Sequence, residues 1–115
     1  TDLETALINK LQKFLLELGQ GFAYIGRQQP IMIGQKEMAM DLLFYHMKLR
    51  CYVVIDLKVG EFDASYTSQI GTYVVAVNHQ LKTEMDNPTI GLIICKTKDN
   101  VVAEYSLEAS SDRDF

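Results

Sequence analysis

Two runs of β-prone residues, 39–46 and 51–59, are separated only by Met47-Lys48-Leu49-Arg50. So short a gap predicts adjacent antiparallel strands joined by a hairpin turn. A loop of two residues, Lys48 and Leu49, and a symmetric loop of four give the same register. Either way Leu43 faces Val54 and Asp41 faces Asp56. Asp41, Leu43 and Tyr45 then lie on one face, across from Asp56, Val54 and Tyr52, with Lys58 opposite Ala39. The other face sets Met40, Leu42 and Phe44 against Leu57, Ile55 and Val53, a wholly apolar surface expected to be core.

The acidic pair is the costly part of this hairpin. Like charges opposed in a sheet are destabilising, and these two sit in otherwise apolar strands. Their Cβ atoms would lie roughly 5 Å apart, so a hard divalent cation between them would turn repulsion into coordination. Lys58, two residues beyond Asp56, projects from the same face. Two carboxylates on a metal with an ammonium beside them suit the activation of water against a phosphodiester. A plainer arrangement is also open, in which the register differs and Asp41 is a solvated strand residue.

The rest of the chain supplies a context for the hairpin. Leu3, Leu7, Leu11, Phe14, Leu15 and Leu18 recur at helical spacing, and Gly19 and Gly21 follow as a stop. Phe22-Ala23-Tyr24-Ile25-Gly26 reads as a strand bounded by Pro30, with a turn at Gly34-Gln35-Lys36. Tyr66, Ile70, Tyr73, Val74, Val77 and Leu81 form a stripe that predicts a helix over 63–81 capped by Asp63, although 73–77 is also β-prone. Strands are expected at 90–96 and 101–107, joined by a turn at Asp99-Asn100, before a loose polar tail. The order is helix, three strands, helix, two strands, which is one α/β unit with a mixed sheet.

Composition narrows the function classes. The 115 residues are 48% hydrophobic and 23% charged, as expected of one globular domain. Eleven Lys and Arg against 15 Asp and Glu give a net charge of −4, which excludes nucleic-acid binding by bulk positive charge. No apolar run approaches the ~20 residues of a membrane span. Cys51 and Cys95 have no metal-finger or CxxC spacing, which fits a reducing, cytoplasmic setting. An opening Thr1 in place of Met suggests a piece of a longer protein.

Asp41 followed by Asp56-Leu57-Lys58 on the next strand resembles the signature of the PD-(D/E)XK nuclease superfamily. Further segments are similar to the YhcG family: Phe14-Leu15-Leu16-Glu17-Leu18-Gly19, Gly21-Phe22-Ala23-Tyr24-Ile25-Gly26-Arg27-Gln28, Asp41-Leu42-Leu43-Phe44-Tyr45-His46, Leu49-Arg50-Cys51, Leu57-Lys58-Val59-Gly60-Glu61-Phe62 and Gly91-Leu92-Ile93-Ile94-Cys95-Lys96. The resemblance implies a restriction-endonuclease-like αβββαβ core over residues 1–108, a mixed sheet flanked by helices, with 109–115 as tail. It implies a metal-dependent endonuclease hydrolysing DNA phosphodiesters, with Mg²⁺ or Mn²⁺ held by Asp41, Asp56 and the Leu57 carbonyl. Lys58 would orient or deprotonate water. Where the family favours Glu before the Lys, this chain has Asp56, which is one methylene shorter. The partners implied are DNA, an N-terminal helical domain of the same protein and a second copy of the chain.

Two more positions follow from the resemblance. Gln69 and Tyr73 form a Gln-x-x-x-Tyr pair, similar to that of RecB-type nucleases, and i, i+4 spacing places them on one helix face. Gln69 would touch water or phosphate and Tyr73 would buttress it; otherwise they are a surface Gln beside a core Tyr. Glu17 is either an outlying acid that reaches the metal through water or a solvated helix residue. His46 facing Cys51 hints at a thiol or zinc site, but no third ligand lies near in sequence, so packing is expected. Arg27, Gln28 and Lys96 are expected to be solvated. The competing function is a non-catalytic module that binds nucleic acid or protein on the same fold; a dimerisation domain using the Val- and Tyr-rich helix is a third.

Overall fold

The structure, a computed structural model, describes residues 21–97 and 101–107. The opening helix with Glu17, the 99–100 turn and the 109–115 tail fall outside the described residues. The elements are β1 (Phe22–Ile33), β2 (Lys36–His46), β3 (Cys51–Val59), α1 (Ser65–Gln80), β4 (Ile90–Lys96) and β5 (Val101–Leu107). They build one five-stranded sheet in the order β1-β2-β3-β4-β5. Neighbours are antiparallel except β3 and β4, which run parallel. Parallel neighbours need a crossover, and α1 is that crossover. This requirement decides the 73–77 run, which is helical despite its β-prone residues. Among the described residues no helix is long and apolar enough to cross a membrane.

β1 is longer than its sequence pattern predicts. It passes through Pro30, which pairs with Ala39, and ends at Ile33 opposite Lys36. Pro30 does not end the strand because β1 lies at the sheet edge, where a missing N–H breaks no ladder on the open side. Gly34, at φ 63°, supplies the left-handed residue of the Gly34-Gln35 turn. A bulge falls between Tyr24 and Gly26.

The β2–β3 hairpin takes the expected register. Its loop has four residues, since His46 pairs with Cys51, and Arg50 closes it at φ 51°. Pairing continues through Leu43 and Val54 to Leu42 and Ile55 and stops there, one step short of Asp41.

The sheet has apolar residues on both faces. On one side Leu43, Val54, Ile93 and Cys95 pack against Ile70, Tyr73, Ala76 and Val77 of α1. Complete burial of each large aliphatic side chain contributes about 1.5–3 kcal/mol. On the other side Leu42, Phe44, Val53, Ile55 and Ile94 form a second buried cluster. Met40 departs from the expected alternation, because it packs in the helix-side cluster with Leu43 and not with Leu42 and Phe44. Alternation in β2 therefore breaks between Met40 and Leu43, at Asp41.

Asp63, expected as the N-cap of α1, lies one residue before it: the N-cap is Ala64, which makes no side-chain cap bond, and Asp63 Oδ1 instead accepts the Ser65 N–H at 2.9 Å from the preceding turn. Regular helix starts at Ser65, so the end shifts by a residue or two. Leu81, expected on the buried stripe, is 39% exposed at the helix end.

Candidate active site

Asp41, Asp56, Leu57, Lys58 and Gln69 come together where β2 and β3 diverge and α1 begins. The two aspartates do not face each other as a ladder pair. Asp41 Oδ2 accepts the Leu57 N–H at 2.8 Å, so the carboxylate takes a place that a ladder carbonyl would fill. Its Oδ1 accepts from Gln28 Nε2 at 3.2 Å. Each carboxylate oxygen has a second lone-pair direction, so two bonds do not exhaust Asp41.

Asp56 is in the opposite state. It is 3% exposed, and its Oδ2 is buried with no hydrogen-bond partner among the described residues. Burial raises its carboxyl to about 6, the nearby Asp41 charge adds to the rise, and Lys58 opposes it. A buried anionic oxygen without a donor is expensive, and a cation is the group that would satisfy it. The donors are hard oxygens, which suit Mg²⁺ or Mn²⁺ and not softer ions. Among the described residues there is no cluster of three or more His, Cys, Asp and Glu. A site with two protein carboxylates fits Mg²⁺, which keeps much of its water.

Lys58 is gripped from the helix side. Its Nζ donates to Gln69 Oε1 at 3.2 Å and lies 5.1 Å from the centre of the Tyr66 ring. Gln69 Nε2 donates to Tyr73 Oη at 3.3 Å, and Tyr73 Oη donates to the Ala39 carbonyl at 3.4 Å. The relay runs from the ammonium through one helix face to the strand that carries Asp41. Tyr73 is buried in the helix-side core, so the polar relay is anchored on packing. Burial, before any charge, raises its phenol above the ordinary range.

The residues that sequence reasoning set aside divide in two. His46 pairs with Cys51, and its Nδ1 accepts the Leu49 N–H at 3.0 Å, so it closes the turn. Cys51 is buried and its thiol is pushed up by that burial, which is wrong for a nucleophile. Gln28 and Tyr66, in contrast, touch the site. Extending β1–β2 pairing from Met40 and Gln29 would have found Gln28 opposite Asp41, and Tyr66 stands one helical turn before Gln69.

Residues 1–114 match the family described as the YhcG PDDEXK nuclease domain. The chain is 42% identical over 107 residues to "Putative nuclease YhcG" of Escherichia coli (strain K12). That match covers 93% of this chain and 28% of the length of that relative. Among solved structures, the fold is similar to the crystal structure of SSO0001, with a TM-score of 0.50 and 15% identity, over 92% of this chain and 48% of that one.

Proposed function

The chain belongs to the YhcG PDDEXK nuclease domain family, and from that premise we propose that it is a divalent-metal-dependent endonuclease domain acting on DNA phosphodiesters. The observation that carries this reading is Asp56 Oδ2, without a hydrogen-bond partner among the described residues and buried beside a second carboxylate and an ammonium. A folded domain tolerates such a group where binding compensates it.

Asp41 and Asp56 would hold Mg²⁺ or Mn²⁺, with the Leu57 carbonyl as a third ligand. The bound cation would supply Lewis-acid stabilisation of phosphoryl charge and ease the ionisation of water. The remaining work belongs to side chains of this chain. Lys58 Nζ spends one donor on Gln69 and keeps others for the attacking water and the phosphoryl oxygens. Gln69 fixes where that ammonium points, and Tyr73 fixes Gln69. The acidic net charge leaves affinity for DNA to a further domain of the same protein or to a second copy.

The test is plasmid cleavage in Mg²⁺ by the full chain and by Lys58→Met, with DNA affinity measured in parallel. Met keeps the aliphatic stem, so folding should survive. Loss of one such electrostatic group costs on the order of 10²–10³ in rate. Cleavage by wild type that drops by this factor, with affinity retained, supports catalysis. A wild type that binds DNA and never cleaves it, with any divalent ion, favours the non-catalytic module.

A further inference from the structure

We propose that Gln28 is a positioning residue for Asp41, held in a costly backbone conformation so that its side-chain amide fixes the carboxylate. Gln28 has φ 49°, in the left-handed region that a residue with a Cβ occupies at a cost. Among the described residues the other non-glycine with positive φ is Arg50, which closes a turn. Gln28 closes no turn. It sits inside β1, between Arg27, paired with Leu42, and Gln29, paired with Met40. The residue bracketed on the other strand is Asp41, where β2 changes face. Glycine or asparagine would adopt this conformation more cheaply. Neither could place an amide as far from the backbone as glutamine does.

The gain is at Asp41. Gln28 Nε2 holds Oδ1 at 3.2 Å while the Leu57 N–H holds Oδ2 at 2.8 Å. The carboxylate is thus fixed from both sides, by the edge strand and by β3, and its plane cannot rotate freely. Donors that orient a ligating carboxylate in this way commonly govern metal affinity. The inference rests on the reading of Asp41 as a metal ligand only for its effect on metal uptake. Control of the Asp41 orientation stands without it.

The experiment compares the full wild-type chain with Gln28→Gly and Gln28→Ala. Three quantities are read: the Leu57 amide resonance without metal, the thermal melt without metal, and Mn²⁺ affinity by calorimetry. Both variants should move the Leu57 amide and weaken Mn²⁺ binding by about 10-fold. Gln28→Gly should melt no lower than wild type, because relief at φ 49° offsets the extra freedom of glycine. An unmoved Leu57 amide with unchanged Mn²⁺ affinity in both variants would overturn the proposal. So would a lower melt of Gln28→Gly with unchanged Mn²⁺ affinity, which would make Gln28 a structural residue. If wild type takes up no Mn²⁺, the metal reading of Asp41 fails, and the Leu57 amide alone decides whether Gln28 orients it.

Discussion

Asp86 and Asp56 stand at opposite ends of the same hairpin and have opposite electrostatic fates. Near the turn, Asp86 Oδ1 accepts from the Tyr45 hydroxyl at 2.5 Å, and Oδ2 accepts from Thr83 N at 2.9 Å and Thr83 Oγ1 at 3.0 Å. Those bonds, led by that of Tyr45, hold its carboxyl below the ordinary range, and the bond to Asp86 pushes the Tyr45 phenol up to about 12. Asn87 ties the same loop to the turn through the Leu49 and Arg50 carbonyls, each at 2.7 Å. At the open end Asp56 is buried, faces a second negative charge and is raised to about 6. One carboxylate is satisfied by its own chain; the other has a buried oxygen with no hydrogen-bond partner among the described residues. The difference separates a carboxylate whose hydrogen bonds tie a loop to the turn from a buried carboxylate with an oxygen that no described residue bonds.

The largest effect expected on this contrast comes from beneath the open end. Tyr73→Ala empties a buried site and should cost about 3–5 kcal/mol of stability, as truncation of a buried aromatic residue does. Gln69→Ala removes a half-buried amide and should leave the melting temperature nearly unchanged while lowering cleavage about 10-fold, a positioning effect through Lys58. Thermal melts and cleavage rates of both variants check the ranking. The reverse order would mean that Gln69 supports the fold and Tyr73 the site.

Next in size is the charge on Asp56. Folding raises its carboxyl from 3.8 to about 6, so the native state holds a proton that the unfolded chain has released in that window. Stability without metal should therefore fall as pH rises from about 4 to about 6 and then level off, by up to about 3 kcal/mol. Asp56→Asn should flatten that slope and melt higher than wild type at neutral pH in a chelator, while losing Mn²⁺ uptake. Denaturant melts across pH 4–8 test it. A wild-type profile that rises through this window would show that Asp56 is not the buried, raised group found here.

The sequence was informative about the hairpin for a physical reason. A four-residue gap makes a symmetric hairpin the simplest connection, and a two-residue period then assigns faces, which gave Leu43 opposite Val54 as the structure has it. Asp56 and Lys58 were legible because the two-residue strand period puts them on one face, whereas Gln69 and Tyr73 came from the resemblance to a Gln-x-x-x-Tyr pair, with i, i+4 spacing giving only their shared helix face. Three features were not legible. Periodicity assumes an unbroken strand, and β2 breaks at Asp41, which sent Met40 to the other face. Pro30 marks a strand end only in a sheet interior, and edge position is a property of topology. Gln28 and Tyr66 reach the site through a left-handed residue and a ring–ammonium contact; strand pairing and helix spacing put them near it, but neither pattern gives those contacts.

The smallest effect should come from Asp86, and its pH signature should be opposite to that of Asp56. Its carboxyl is lowered in the fold, so the native state releases a proton that the unfolded chain still holds. The resulting stability is present above the unfolded value near 4 and is lost as pH falls further. Asp86→Ala should thus melt slightly below wild type at pH 7 and converge with it in acid. The effect is small because the bonds lie near solvent, where water replaces a lost partner. Tyr45→Phe, which removes the hydroxyl alone, should reproduce part of the loss. Mn²⁺ affinity and cleavage should be untouched in both, since Asp86 and the open end share no hydrogen bond among the described residues. A change in Mn²⁺ affinity in Asp86→Ala would show that the two ends of the hairpin are coupled along its strands.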